Sequence, residues 1–140
     1  MDQISRYGAY GVLLQEAKVL LTLKKSGPYL GLWDLPGGGI EFGETPKEAL
    51  ERELLEETAL AAEQIELLTV ATAFAEYEKA NTRYQFHHIG IIYKVSGLTL
   101  RPDLVPEEEC CWMTLKDLIK EELTPLAKYA LLEDGLLGSN

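Results

Sequence analysis

Apolar and β-branched residues are concentrated in five segments of the chain, and this pattern predicts β-strands. The segments alternate loosely between apolar and polar positions; they are Tyr7–Leu14, Val19–Leu23, Ile65–Tyr77, Tyr84–Val95 and Cys110–Met113. Polar residues between them predict turns at Gln15–Ala17 and Glu78–Arg83. The segment Ile65–Tyr77 is long enough for one strand or for two, and the pattern leaves both open.

The clearest helix is predicted over Pro46–Thr58. Thr45 is placed as its N-cap and Pro46 as its first residue, where a missing N–H costs nothing. Glu48 stands three residues after Thr45, which is the spacing of a capping box. The start of this helix is therefore fixed by local signals alone.

The remaining segments complete the predicted order of elements. A helix is expected to open at Thr114, and a last helix is expected over Pro125–Leu136. The run Pro36–Gly39 is predicted to form a turn rather than a regular element, because glycine permits positive φ and close backbone approach. Strands interleaved with helices indicate an α/β or α+β class, although periodicity does not give the topology.

Length and composition narrow the class of protein. The chain has 140 residues, of which 46% are hydrophobic, and this size predicts a single domain over residues 1–140. It has no run of 18 apolar residues and no basic, then apolar, N-terminal segment, so neither a membrane span nor a signal peptide is expected. Adjacent Cys110 and Cys111 are poorly placed to bridge each other, which favours a reducing cytoplasm.

The net charge is −10, which argues against a protein that grips a nucleic acid polymer through its phosphates. It does not argue against a small nucleotide substrate, because polyphosphates enter acidic sites together with metal ions.

Glu53, Glu56 and Glu57 share one face of the predicted helix, because residues three and four apart are neighbours there. Such a cluster could simply be solvated, yet Leu50 and Leu54 project beside it and place it next to the inward side. Three close carboxylates raise each other's pKa, and a divalent cation relieves that repulsion. Hard oxygen ligands suit Mg²⁺, with Mn²⁺ as a substitute.

The segment Gly38–Leu60 resembles the Nudix box, G-x5-E-x7-R-E-U-x-E-E-x-G-U, in which U is a bulky aliphatic residue. Ala59 stands where the pattern has glycine, so the helix is expected either to carry a cost of about 1 kcal/mol there or to end differently. The matching residues are Gly38, Glu44, Arg52, Glu53, Leu54, Glu56, Glu57 and Leu60. The resemblance implies an α/β/α sandwich with a mixed sheet and a loop–helix–loop box.

The resemblance also implies roles for the box residues. Glu56 and Glu57 would hold the metal together with the carbonyl of Gly37 or Gly38. Glu53 would be the base for the attacking water or a further ligand. Arg52 would hold a ligand carboxylate in place, Glu44 would buttress the loop or the helix start, and Glu107 or Glu108 could complete the metal site.

Residues that would contact the substrate are less well defined by the sequence. Aromatic residues that could stack on a nucleobase include Tyr77, Phe86 and His88, and Arg83 could meet a phosphate. Each of these has an equally simple structural explanation, namely core packing for the rings and a turn for the arginine.

The resemblance implies Mg²⁺-dependent hydrolysis of a nucleoside diphosphate linked to another moiety. The leading expectation is a MutT-like enzyme that converts a nucleoside triphosphate, oxidised or not, to a monophosphate and pyrophosphate. The alternatives are an ADP-ribose or dinucleoside polyphosphate hydrolase and a nucleotide-sensing module without turnover. A homodimer is possible, but the sequence names no interface.

Overall fold

The computed structural model describes residues 1–137. Within this range the chain forms seven strands and two α-helices, with short 3-10 turns at Leu115–Asp117 and Lys120–Glu122. The strands are β1 (Asp2–Gln15), β2 (Lys18–Leu23), β3 (Trp33–Asp34), β4 (Gly37–Gly39), β5 (Leu60–Lys79), β6 (Thr82–Leu100) and β7 (Cys110–Thr114). The helices are α1 (Pro46–Thr58) and α2 (Pro125–Glu133).

One mixed sheet joins all the described strands. Its main order is β3-β2-β1-β6-β5, while β4 pairs with β1 and β7 pairs with β2. β1 runs parallel to β6 over residues 2–13, and the other ladders are antiparallel. The mixed sheet with two helices confirms the predicted fold class.

The two helices cover opposite faces of the sheet, because successive residues of a strand point to opposite sides. Ala9 and Leu13 of β1 pack with Leu50 and Leu54 of α1. Residues Tyr10 and Val12, on the other face of β1, pack with α2 through Leu126, Ala127, Ala130 and Leu131. None of the helices in the described range is long and apolar enough to cross a membrane.

The box helix begins and ends where the sequence predicts. The Thr45 hydroxyl accepts from the Glu48 amide at 3.1 Å, and the Glu48 carboxylate accepts from the Thr45 amide at 3.0 Å, which completes the capping box. The helix ends on Ala59, whose φ of 60° and ψ of 23° are left-handed. Ala59 therefore takes the left-handed conformation of the glycine in the pattern, and the helix does not end differently.

Several predicted boundaries are wrong because the strands continue through polar positions. Ile65–Tyr77 is the middle of the single strand β5, which carries an irregularity between Leu67 and Thr69. The turn predicted at Glu78–Arg83 contains only Ala80 and Asn81, both at positive φ, and their neighbours pair across the β5–β6 hairpin.

Three further expectations are corrected. The glycine run is not a turn, because Gly37–Gly39 pairs with Gly8–Tyr10 as strand β4. The helix expected at Thr114 is only a 3-10 turn, capped by the Thr114 hydroxyl. The last helix stops at Glu133 instead of Leu136, and Gly135 follows it at a φ of 74°.

Candidate active site

The acidic face of α1 lies directly over strand β4. The Glu57 carboxylate accepts a hydrogen bond of 2.8 Å from the Gly37 amide. The Glu53 carboxylate sits above Gly38, where an added Cβ would be only 2.7 Å from the Glu53 Cδ. The absence of side chains in β4 is thus what lets the two glutamates approach its backbone.

Arg52 connects the carboxylates to the same strand. Its Nε and Nη2 donate to the two oxygens of Glu44 at 2.8 and 3.0 Å, a bidentate pair. Its Nη1 donates to Glu53 at 3.0 Å and to Glu56 at 3.5 Å, and its Nη2 also reaches the Gly39 carbonyl at 3.1 Å. The guanidinium is therefore fully engaged in positioning its neighbours.

The Glu44 carboxylate is held in its charged form. Hydrogen bonds from Arg52, and a further one from the Glu41 amide at 2.8 Å, lower the pKa of Glu44 to about 2. The Glu44 side chain thereby links the loop before the helix to Arg52.

The pKa values of two glutamates at the centre of the site, Glu53 and Glu57, are raised instead of lowered. Burial raises the pKa of Glu57 to about 8, against the Gly37 hydrogen bond, and the charges of Glu53 and Glu108 raise it further. Burial also raises the pKa of Glu53, opposed by its contact with Arg52. Without a cation, the site therefore disfavours its own negative charge.

The acidic turn before β7 is attached to the end of α1. The Glu107 amide donates to the Glu56 carbonyl at 3.1 Å, and the Glu108 amide donates to the Glu57 carbonyl at 3.5 Å. Glu109 instead pairs with Lys25 at 2.8 Å. Of the three acidic residues, Glu108 is the one whose charge acts on Glu57.

The donor set fits a hard divalent cation. In the described part of the chain, no three His, Cys, Asp or Glu side chains are already close enough together to hold a metal ion. The Gly37 amide and Arg52 instead donate hydrogen bonds to Glu57 and Glu53. Burial raises the pKa of Glu53 and of Glu57, so a bound cation would offset the cost of keeping these carboxylates charged. Oxygen ligands of this kind match Mg²⁺ or Mn²⁺.

Arg6 lines two clefts, and the first of them borders the acidic face of α1. The first cleft lies along β1 and β4 and includes Arg6, Gly39 and Glu53. The second, the "aromatic cavity", lies on the α2 side of the sheet. It is lined by Arg6, Tyr10, Lys24, Ser26, Gly27, Pro28, Tyr29, Asp34, Phe86 and His88.

The four residues predicted to contact substrate fall into two groups. Phe86 and His88 line the aromatic cavity. Tyr77 lies near the β5–β6 turn, stacks on Tyr84 with ring centroids 5.3 Å apart, and meets Phe86 edge-on. Arg83 lies 3.7 Å from Glu76 on the same hairpin, and neither Tyr77 nor Arg83 is among the described residues that line the two clefts.

Several charged or aromatic residues that line the aromatic cavity were not among the candidates named from the sequence. They include Arg6, Lys24, Tyr29 and Asp34. Asp34 is 3% exposed and accepts from the Leu35 amide at 2.8 Å and from the Thr124 hydroxyl at 2.6 Å. Asp34 stands between Trp33 and Leu35, and this position could have indicated a buried acid, because an acidic residue inside an apolar run is rarely solvated. The other three gave no comparable signal.

Comparison with known proteins agrees with this geometry. The model of the NUDIX domain family matches residues 5–134. An ADP-ribose pyrophosphatase of Methanocaldococcus jannaschii is 36% identical over 83 residues, which are 59% of this chain and 46% of that protein. An RNA pyrophosphohydrolase of Shewanella sediminis is 44% identical over 45 residues, 32% of this chain and 26% of that protein. The chain thus spans less than half the length of these relatives.

A solved structure extends the similarity over the whole fold. The MutT NUDIX hydrolase from Burkholderia pseudomallei has a TM-score of 0.75 and 28% sequence identity to this chain. The alignment covers 93% of this chain and 98% of that one.

Proposed function

The chain belongs to the Nudix family, and on that premise we propose that it hydrolyses a phosphoanhydride bond of a nucleoside diphosphate linked to another group. The observation that carries this proposal is the pair Glu53 and Glu57, two carboxylates held over the bare backbone of β4 with raised pKa values. Such a pair can hold a cation and accept a proton at the same place.

Glu56 and Glu57 would hold the divalent cation, Mg²⁺ or Mn²⁺, with Glu108 as the additional carboxylate. Glu108 is favoured over Glu109 because Glu109 is paired with Lys25, whereas the charge of Glu108 already acts on Glu57. A cation bound there supplies charge neutralisation for phosphate oxygens and polarises water.

The backbone ladder favours Gly37 over Gly38 as the source of a carbonyl ligand. The Gly11 amide donates to the Pro36 carbonyl at 3.0 Å, and the Ile40 amide donates to the Tyr7 carbonyl at 3.0 Å. Since hydrogen-bonded pairs alternate along an antiparallel ladder, Gly38 is bonded to β1 and Gly37 faces away from it. The Gly37 amide does point to Glu57, and its carbonyl is expected on that same side.

Glu53 would take a proton from the attacking water at a carboxylate oxygen. Its partial burial raises its pKa towards the working pH, which improves a general base, while the 3.0 Å contact with Arg52 holds its orientation. Arg52 is a positioning residue, because its donors contact Glu44, Glu53 and Gly39 and leave the cleft to the carboxylates.

Among possible substrates we favour nucleoside triphosphates, with release of a monophosphate and pyrophosphate. The whole-chain similarity to a MutT NUDIX hydrolase supports this choice. The 36% identity to an ADP-ribose pyrophosphatase supports ADP-ribose as the second candidate, and the two substrates share the same bond type. Dinucleoside polyphosphates have the same bond too, with Tyr77 as the feature that favours them.

The test is product release from a panel of nucleoside triphosphates, ADP-ribose and dinucleoside polyphosphates, with and without Mg²⁺. We expect Mg²⁺-dependent turnover of at least one of these compounds by the wild-type protein. Glu53→Gln and Glu57→Gln should each lower turnover at least ~100-fold, as the loss of a base or of a ligand does. Glu51→Gln, on the exposed side of α1, is the matched control and should retain activity.

The outcomes separate the possible functions. Turnover that is unaffected in folded Glu53→Gln and Glu57→Gln proteins would refute the site assignment. Metal-dependent binding of nucleotides without turnover would instead identify a nucleotide-sensing module.

A further inference from the structure

We propose that the aromatic cavity binds the base of the nucleotide and selects a ring carbonyl oxygen through His88 and Tyr29, with Arg6 contacting the phosphates on the way to Glu53. The proposal deepens the hydrolase function and rests on it for the identity of the ligand as a nucleotide. It assigns a recognition role to Tyr29 and Arg6, which the box pattern does not cover.

Two residues that line this cavity each carry a buried polar atom without a hydrogen-bond partner among the described residues. These atoms are the Tyr29 hydroxyl and the Nδ1 atom of His88. The Tyr29 side chain is 8% exposed and that of His88 is 4% exposed. Burying an unpaired polar group costs about 1–3 kcal/mol, so such groups call for an explanation, and a ligand that hydrogen-bonds to them is one.

The protonation of His88 follows from its other contact. Its Nε2 lies 2.7 Å from the Tyr10 hydroxyl, and burial raises the pKa of Tyr10, so the phenol keeps its proton. Burial lowers the pKa of His88 to about 4, so the imidazole is neutral at pH 7. If Tyr10 donates to Nε2, then the ring proton resides on Nδ1, and the cavity is offered an unpaired N–H donor.

Aromatic rings form part of the wall of the cavity. The rings of Tyr29 and His88 are nearly parallel, with 28° between their planes and 6.3 Å between their centroids. Phe86 closes the same side, edge-on to Tyr29. The volume is about 90 Å³, well below the roughly 300–1,000 Å³ of a typical ligand pocket, so the cavity takes part of a nucleotide and not all of it.

Arg6 connects the cavity to the site of chemistry. It lines the aromatic cavity together with Lys24, and it lines the neighbouring cleft together with Gly39 and Glu53. Its guanidinium lies beside Gly39, with Nη2 only 3.5 Å from where a Cβ would stand. A nucleotide whose base lies in the cavity would therefore extend its phosphates past the Arg6 guanidinium toward Glu53.

An unpaired N–H donor distinguishes bases by the group they present. Guanine and uracil carry a ring carbonyl at the position where adenine and cytosine carry an amino group. A carbonyl accepts from the His88 Nδ1–H, whereas an amino group places a donor against a donor. We therefore expect guanine and uracil nucleotides to bind about tenfold more tightly than adenine and cytosine nucleotides.

The first experiment measures binding without catalysis. GMP, UMP, AMP, CMP and ribose 5-phosphate are titrated into the wild-type protein in EDTA, and long-range ¹H–¹⁵N spectra report the imidazole nitrogens. The free protein should show a protonated Nδ1 on His88. GMP and UMP should shift that signal, whereas ribose 5-phosphate, which lacks a base, should not.

The second experiment removes the donors one at a time. Tyr29→Phe and His88→Phe keep the rings, and each should weaken GMP binding about three- to tenfold and reduce the preference over AMP. Tyr129→Phe and His87→Phe, which alter residues outside the cavity, are the matched controls. Arg6→Gln should weaken binding of GDP more than binding of guanosine.

The positioning role of Tyr10 has its own readout. Tyr10→Phe removes the hydroxyl that holds the His88 proton on Nδ1, so the ¹⁵N spectrum should change to a mixture of tautomers. A merely structural role in packing would leave the Nδ1 signal as it is.

The outcomes keep this proposal distinct from the proposed function. Selective binding of GMP and UMP without turnover of any nucleotide would support the cavity and refute the hydrolase. Turnover by the wild-type protein, together with an unchanged base preference in Tyr29→Phe and His88→Phe, would support the hydrolase and refute the cavity assignment. A wild-type His88 that is protonated on Nε2 would also refute the cavity assignment.

Discussion

Glu57→Gln should make the metal-free protein more stable at alkaline pH while removing its response to Mg²⁺. Glutamine keeps an oxygen that accepts from the Gly37 amide, but it carries no charge. The unfolded chain releases the Glu57 proton near a pKa of 4.5, whereas the folded chain retains it to about 8. Between these values the folded state binds more protons, so its stability falls as the pH rises.

The size of this effect follows from the same two pKa values. One pKa unit is worth about 1.4 kcal/mol, so the rise from 4.5 to about 8 sets an upper limit of about 5 kcal/mol. Because the Glu57 side chain is only partly buried, solvent screening lowers the expected gain to about 1–3 kcal/mol at pH values above 8. Below pH 4.5 the gain disappears.

Urea unfolding in EDTA at a pH of about 5 and at about 8.5 measures this difference. The variant should gain on the wild type only at the higher pH, and Glu51→Gln, on the exposed side of α1, should show no such gain. Added Mg²⁺ should stabilise the wild-type protein at the higher pH and leave Glu57→Gln unchanged. A difference that is the same at both pH values would refute this account of the buried charge.

Two further changes test the surroundings of the site, and a third tests the β5–β6 turn. Arg52→Lys loses the bidentate pair with Glu44, so kcat should fall about 10- to 100-fold with KM nearly unchanged, as steady-state kinetics would show. Gly38→Ala places a Cβ 2.7 Å from the Glu53 carboxylate, and the flexible Glu53 side chain should move aside. We therefore expect kcat to fall at least about tenfold, while the free energy of unfolding falls by less than about 1 kcal/mol. Ala80→Gly relieves a left-handed alanine in the exposed β5–β6 turn, and urea unfolding should show a gain of about 0.5–1 kcal/mol. An unchanged kcat in either site variant, or a loss of stability in Ala80→Gly, would contradict these expectations.

The helix of the site could be predicted to the residue because its signals are local. Thr45, Pro46 and Glu48 define its start through contacts within one turn. The spacing of Glu53 and Glu57 on one face follows from the helical repeat alone. The side of the sheet on which they lie was also indicated, since Leu50 and Leu54 mark the buried stripe.

The lengths of the strands could not be predicted, because their ends are stabilised by pairing and not by burial. β1 begins at Asp2 and β6 at Thr82, where exposed polar residues pair with each other across the sheet. The β5–β6 turn has Ala80 and Asn81 in place of the glycine that would have marked it.

The aromatic cavity was hidden for a different reason. Its residues come from β1, from the loop before β3, from β3 itself and from β6, and they meet only after the sheet has formed. The contact between Tyr10 and His88 joins residues 78 positions apart, and no local pattern encodes such a distance. What the sequence offered was the composition of the cavity, namely aromatic residues, but not their arrangement.

The attachment of the Glu107 and Glu108 amides to the last carbonyls of α1 has a mechanical consequence. A helix leaves its final carbonyls without partners inside the helix, and here a distant segment supplies them. The two segments should therefore open together, and their amide protons should exchange with solvent at matched rates. A loop grafted from a relative would bring its own backbone spacing, so replacing residues 101–109 would also reset the position of the glutamates on the helix.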